Sequence, residues 1–327
     1  MRVLYFLRRV GYWLVNDERF LNESPSERKQ DLAWGRVIPF VAIHMACLGV
    51  FFVEFNKWAA ILCGFLYVSR MFFITAFYHR FFSHRAFAAS PAMTGFMALL
   101  GCTAGQRGPL WWASHHRQHH IHSDTPKDPH SPRQRGFIFS HTLWFLTHDS
   151  FGTRWAQVRD WRGYEFLMLI ERYDWVPFAL LGIICYIMGE ACVGLVPGAS
   201  GMQFFIWGFC VSTVLLYHAT YTVNSMAHLF GSRRFETRDN SRNNPLLAVI
   251  TLGEGWHNNH HRYPGSARQG FYGWELDLAY GGILLMDWLG VIRDVKTVPT
   301  SILAVSYTHL RAHETDSYLV CRLLLEK

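Results

Sequence analysis

The segment Trp111 to Ser123 reads WWASHHRQHHIHS and sets His116, His119 and His120 at i, i+3 and i+4. On a helix that spacing projects three imidazoles from one face toward one point, which is metal-ligand spacing. Downstream, WHNNHH repeats the pattern with His257, His260 and His261. Upstream, HRFFSH carries His79 and His84. A separation of five puts those two well apart around an α-helix, so they suit ligands facing two different metals or residues flanking a helix end. One histidine on an apolar face is usually a satisfied core residue. Two copies of one triplet argue for chemistry.

With His228 these clusters hold nine histidines, more than the roughly four to six ligands one ion takes. Two metals fit better. Imidazole donors suit zinc, copper, iron and nickel, whereas a structural zinc would prefer a closed four-ligand site with cysteines, absent here. A pair of histidine-ligated irons with open positions for O2 is the preferred reading. Neutral ligands leave such a cluster strongly cationic, so nearby acids should orient the rings, and Glu254, Asp124 and Asp128 are candidates. The same three read equally as solvated loop acids.

These side chains need a scaffold, and the composition points to a membrane. The 327 residues are 50% hydrophobic and 16% aromatic, with a formal charge of +7, an apolar balance rich for a soluble domain of this length. No nucleic-acid-binding fold accompanies the basic charge. Residues 37–55, 58–77, 176–196 and 204–223 are apolar stretches, each long enough to cross a hydrocarbon layer of about 30 Å. Asn56 and Lys57 join the first two in a tight hairpin, and Pro197 to Gly201 join the second pair. Between these outer turns the basic residue is Lys57, so the charge bias sets both termini and all three histidine clusters on the cytoplasmic side. The expected architecture is all-α, with four transmembrane helices under a cytoplasmic helical cap holding a histidine-rich dimetal site.

Ser90 to Gly105 is apolar but too short to span and reads as a re-entrant or interfacial segment. Glu54, Arg70 and Glu190 are charges in or beside apolar runs, where each must pair, snorkel or function. Asn224 and His228 are four apart at the end of the fourth span, hence on one face. Gly253-Glu254-Gly255 suggests a tight turn feeding the last cluster, and Trp274 to Leu289 is an amphipathic stretch closing the cap. Six cysteines, Cys47, Cys63, Cys102, Cys185, Cys192 and Cys210, sit in apolar runs without a CxxC pair and read as buried hydrophobes. The first twenty residues lack a signal-peptide pattern and read as an amphipathic surface helix. Residues 1–304 form one membrane domain. The segment 305–327 resembles a translated sequencing-adapter read-through, so His309, His313 and Cys321 are set aside and the authentic C-terminus is expected to be missing.

HRFFSH, HHRQHH and WHNNHH, in that order and straddling four predicted spans, resemble the three histidine boxes of the membrane fatty-acyl desaturases. The nearest branch is the Δ9 group that includes stearoyl-CoA desaturase and its bacterial relatives. SDTPKDPHSPRQRGFIFSH, NSMAH and GEGWHNNHH also resemble family blocks, and the likeness runs from about Trp34 to Ile302. The resemblance implies an O2-dependent oxidoreductase of a bacterial inner membrane that forms a cis double bond, Δ9 by branch, in a saturated acyl chain. Its implied ligands for two irons are His79, His84, His116, His119, His120, His228, His257, His260 and His261, with Asn224 acting through a bound water. His115 and His122 fall off the ligand positions and keep a structural reading. Gln106, Trp112 and Thr220 match positions that line the bend of a substrate tunnel. Where animal relatives hold a CoA head group with an Arg-Lys pair, this chain has His148 and Asp149, so phospholipid and acyl-carrier-protein substrates stand beside acyl-CoA. Without a fused cytochrome b5 domain or an iron-sulfur cysteine pattern, electrons come from a separate ferredoxin, rubredoxin or cytochrome b5 type of donor. The rival readings are a di-iron alkane or lipid hydroxylase, which would insert oxygen, and a metal transporter, which would place its ligands near the bilayer midplane.

Overall fold

A computed structural model describes residues 31–304. The expected surface helix over the first twenty residues and the tail 305–327 lie outside the described residues. The first apolar stretch is α1, Trp34–Ala46, prolonged by a 3-10 segment, Cys47–Phe51. The second is α2, Lys57–Phe72, which runs without a break into a π-helical segment, Phe73–Ser83. The Asn56 side chain caps α2 by accepting from the amides of Trp58 and Ala59, which ends the hairpin turn and starts the return helix. After a two-residue strand β1, Ala88–Ala89, comes α3, Pro91–Cys102, capped by Ser90 and too short to span.

The second histidine cluster lies on α4, Pro109–His122. Gly108 has no side chain to cap it. Instead Asp174 Oδ2 accepts from the Gly108 amide at 2.9 Å, and the Glu171 carboxylate accepts from those of Leu110 and Trp111 at 2.9 and 2.8 Å. Two buried acids thus satisfy the open amides of the helix start and oppose its positive end. A Cβ on Gly108 would stand 2.1 Å from Glu171 Oε2, so a side chain there would displace the carboxylate that caps the helix. Glu171 ends α5, Glu165–Arg172, and Asp174 precedes α6, Trp175–Ala191.

The fourth apolar stretch starts at Gly201–Gln203, passes through a π-helical segment, Phe204–Val211, and becomes α7, Ser212–Ser225, which finishes in a 3-10 turn, Met226–His228. Among the described residues, three helices are long and apolar enough to cross a membrane: Trp34–Phe51, Lys57–Ser83 and Gly201–His228. The pair α5 and α6 meets the same test together but is bent by 62°. Beyond α7 lie α8, Pro245–Ile250, α9, His257–Arg262, α10, Leu278–Trp288, and β2, Ile292–Arg293, which pairs antiparallel with β1.

Aromatic and aliphatic side chains of the π segment, α3 and α4, with Trp161, form the main core beside the histidines. Arg70 is buried in α2 and bonds Ser212, Thr213 and the carbonyls of Leu66 and Thr103, while Glu190 accepts from the Gly201 amide. All six apolar-run cysteines are free thiols.

Candidate metal centre

The histidines meet in two groups. His79, His84, His116, His120 and His260 form one, and His119, His228, His257 and His261 the other, with ligand atoms within 4.8 Å of one another in each. Three expectations are corrected by this arrangement. Of the two readings that the spacing of five allowed, His79 and His84 do not face two metals but share one group, with His84 flanking the end of its helix. His84 caps the end of the π-helical segment, its amide bonded to the Phe81 carbonyl, so its ring is placed by the helix end rather than by the turn of an α-helix. Nor does either triplet aim at a single point. His116 and His120 go to the first group and His119 to the second; His257 and His261 go to the second and His260 to the first. Residues four apart stay about 40° from one another around a helix, whereas the middle member of each triplet diverges. Thus α4 and α9 each supply both groups, in opposite proportion.

Within the first group the ring nitrogens form a chain. Nε2 of His84 lies 2.8 Å from that of His116, which lies 3.0 Å from that of His120; His120 is 2.9 Å and His79 3.0 Å from Nε2 of His260. In the second, Nε2 of His228 and His257 are 3.0 Å apart.

Carboxylates hold the outer nitrogens. His119 Nδ1 donates to Asp128 at 3.0 Å, His228 Nδ1 to Asp124 at 3.1 Å and His261 Nδ1 to Asp239 at 2.6 Å, while His79 Nδ1 is paired with Glu254. Glu254 is itself fixed by Arg80 at 3.3 Å and by Gln269 at 3.0 Å. A ring that donates through Nδ1 presents a lone pair at Nε2. For His119 and His261 that Nε2 is buried with no hydrogen-bond partner. Buried orphan acceptors are costly, and several converging lone pairs repel unless a cation sits among them. The donor set therefore fits a metal with imidazole ligands oriented by second acids.

The protonation pattern agrees. Burial, reinforced by neighbouring rings, holds His84, His116, His120, His257 and His260 well below the ordinary imidazole value. For His261 burial outweighs the attraction of Asp239 and lowers it to about 4. His119 is the exception: against the cost of burial, the Asp128 charge raises it. Asp124, Asp128 and Asp239 stay well below the usual carboxylate range despite burial, through hydrogen bonds and charge from His228, His119 and His261 respectively.

Glu254, Asp124 and Asp128 therefore stand beside ring nitrogens. Sequence reasoning did not single out Asp239, Gln269 or His130, a buried ring stacked 4.3 Å from His119. No spacing marks Asp239, which sits in a polar loop and reaches His261 through the fold alone. His115 Nδ1 donates to the Trp111 carbonyl at 2.9 Å, and neither it nor His122 belongs to a group.

A cavity of about 280 Å³ approaches this centre, walled by α1 residues such as Phe40 and by Trp112, Tyr217, Thr220 and Asn224. A second, of about 30 Å³, touches His79, His116, His119 and His257 and ends at Met71 and Ile74. Trp112, His116, His130, Thr220 and Asn224 line both, so the two adjoin at the histidine groups. Gln106 Nε2 donates to Thr220 Oγ1 at 3.0 Å, and the Trp112 ring stacks on His116 at 5.0 Å. The arrangement presents an elongated, mostly apolar slot to a pair of candidate metal sites.

A family model described as fatty acid desaturase matches residues 56–279. The chain is 33% identical over 271 residues to an sn-1 stearoyl-lipid 9-desaturase of Anabaena variabilis, covering 82% of this chain and 95% of that protein. It is 35% identical over 283 residues to an sn-2 palmitoyl-lipid 9-desaturase of Nostoc, covering 82% and 92%. With an acyl-CoA 5-desaturase of Anemone leveillei the identity is 36% over 266 residues, covering 80% and 78%.

Proposed function

The chain belongs to the fatty acid desaturase family, and from that premise we propose that it forms a cis double bond, Δ9 by its lipid-desaturase relatives, in a saturated acyl chain, at two irons held by the histidine groups. As a fatty acid desaturase it is an oxidoreductase. The balance is two hydrogens lost from adjacent methylenes, with O2, two electrons and two protons giving two waters.

The observation that carries the reading is a mostly apolar cavity lined by His116 beside a smaller one that reaches both imidazole groups. His79, His84, His116, His120 and His260 would hold one iron; His119, His228, His257 and His261 the other, with Asn224 contributing through a water. When bound, the metals supply the O2-derived oxidant that an unactivated C–H bond requires. The protein's own residues do the rest. Asp128, Asp124, Asp239 and Glu254 keep Nδ1 protonated and Nε2 aimed inward. Gln106, Thr220 and Trp112 shape the bend that fixes which carbons lie under the rings, and the apolar walls exclude water. The acyl substrate is a lipid or acyl-CoA, since relatives of both names align.

The topology we propose is four spans, with the bent α5–α6 pair as the third, in a bacterial inner membrane. Residues 1–304 form the domain, with the metal centre and both termini on the cytoplasmic side, where a separate ferredoxin, rubredoxin or cytochrome b5 type of donor docks. Lipid profiling of cells expressing the wild type and His119→Ala tests the function. New monounsaturated acyl chains with the wild type alone support it. A hydroxylated product without an alkene would select the hydroxylase instead.

A further inference from the structure

Three histidines outside the metal groups form a continuous hydrogen-bonded chain. His44 Nδ1 contacts the Phe40 carbonyl at 2.6 Å, and His44 Nε2 lies 3.1 Å from His218 Nε2. His218 Nδ1 lies 3.0 Å from His141 Nε2, and His141 Nδ1 is 3.0 Å from Ser225 Oγ. The carbonyl only accepts, so His44 donates through Nδ1 and accepts at Nε2. His218 then donates to His44 and accepts from His141, whose Nδ1 stands beside the Ser225 hydroxyl, itself donating to the Tyr221 carbonyl. The chain ties α1, α7 and the short π turn Phe139–Leu143 together.

Its position is the telling feature. Along α1, Gly35, Arg36, Pro39, Phe40 and Ile43 face the 280 Å³ cavity, whereas Ile38, Val41, Met45 and Leu48 are exposed. His44 lies between these two stripes. On α7, Tyr217, Thr220, Tyr221 and Asn224 face the cavity, Leu215 is exposed, and His218 lies between. The His44–His218 contact is therefore the seam that separates the cavity from the bilayer. Behind it the Phe40 and Tyr217 rings are stacked at 6.2 Å, the remaining wall.

That wall is built to move. No residue of Trp34–Phe51 is fully buried, against 61% of the apolar window in Gly201–His228. Pro39 interrupts the backbone bonding of α1 at the level of the cavity, which gives the helix a bend point. His44 lies ten residues from Trp34, about 15 Å along the helix at about 1.5 Å per residue, well inside the hydrocarbon layer. A thioester with a large water-soluble head has no reason to enter at that depth.

We infer that the α1–α7 seam is a lateral portal, latched by His44 and His218, through which the acyl chain of a membrane glycerolipid passes from the bilayer into the cavity. The inference rests on the acyl-desaturase reading and assigns its substrate to lipid already in the membrane.

The test uses the full chain in nanodiscs of palmitoyl-oleoyl phosphatidylglycerol containing a phosphatidylglycerol with a diazirine in its sn-1 acyl chain. Expected adducts fall on Phe40, Ile43 and Tyr217, and excess dipalmitoyl phosphatidylglycerol suppresses them. In a cysteine-depleted background, joining His44→Cys to His218→Cys with a short bis-maleimide abolishes those adducts while leaving adducts on Val41 and Met45. Should that variant fail to fold, Phe40→Cys with Tyr217→Cys, whose rings are stacked at 6.2 Å behind the latch, gives the same closure without touching it, and Ile43 is then the cavity readout. Cavity adducts that persist after cross-linking overturn the portal. So does labelling of the cavity by a diazirine acyl-CoA but not by the lipid, which leaves the desaturase reading standing. Labelling by neither probe overturns the acyl-substrate reading and the portal with it.

Discussion

His119 presents Nδ1 to Asp128 at 3.0 Å and leaves its Nε2 buried and unpartnered. One carboxylate thereby decides which nitrogen of the ring is available to a metal. Asp128→Asn removes the charge and leaves the shape. The expected result is a fall in metal affinity of about 10–100-fold, with the fold retained. Competition with a calibrated chelator, beside a circular dichroism spectrum, checks both parts.

His79, in the π-helical segment, and His84, at its end, fall in the same histidine group. Elemental analysis of His79→Ala, His84→Ala and the double variant distinguishes this from a shared role across both sites. The double variant is expected to lose one metal per chain, the other being retained by His119, His228, His257 and His261.

Gly255 feeds the ligand helix α9, and a Cβ there would lie 2.0 Å from the Ala248 amide nitrogen and 2.4 Å from the Asn244 carbonyl oxygen. Both are backbone atoms of α8 and its cap, so neither yields easily. Gly255→Ala should cost about 1–3 kcal/mol and displace His257. Thermal unfolding of the metal-free protein in detergent reads the first effect, and metal content the second.

Much of the centre was legible because its ligands recur at fixed spacing: both triplets, HRFFSH and NSMAH all reach it. Their division between two groups was not, because spacing on an ideal α-helix cannot reveal a π segment, and the eye groups a triplet that the helix splits. Asp239 joins from a polar loop with no periodic signal. His44, His141 and His218 share no spacing in the sequence, and only the packing of α1 on α7 brings them into line. Three of the four apolar stretches were legible from hydropathy as helices able to cross a membrane, but the second runs on to Ser83, since the ligand segment itself is helical.

Acid should destabilise the metal-free protein, and the sign follows from the shifts. The buried rings of His84, His116, His120, His257, His260 and His261 have depressed values, while unfolded imidazole titrates near about 6.5. Below that value the unfolded chain binds more protons, so stability falls as pH drops. His119 works the other way: its raised value gives stability that is full below the unfolded value and is lost as pH rises through the folded one. Asp124, Asp128 and Asp239, whose values are depressed, add stability above about 4 that is lost as pH falls further. Six depressed rings outweigh one raised. The melting temperature of the metal-free protein is expected to fall from pH 7 to pH 5, as differential scanning fluorimetry reports.

Thr220 Oγ1 accepts from Gln106 Nε2 where the two cavities meet. Thr220→Val keeps the volume and leaves the buried amide without its acceptor. The expected outcome is a spread of double-bond positions with turnover partly retained, seen by mass spectrometry of derivatised acyl chains. An unchanged single isomer would remove these residues from the positioning role.

The central claim is that two imidazole groups hold a pair of irons over an acyl slot. Iron per chain in purified, catalytically active protein, measured by elemental mass spectrometry, tests it most directly. The account predicts a value near two, falling in parallel with turnover when His116 or His257 is replaced by alanine. Full desaturase activity in protein that contains no iron would contradict it.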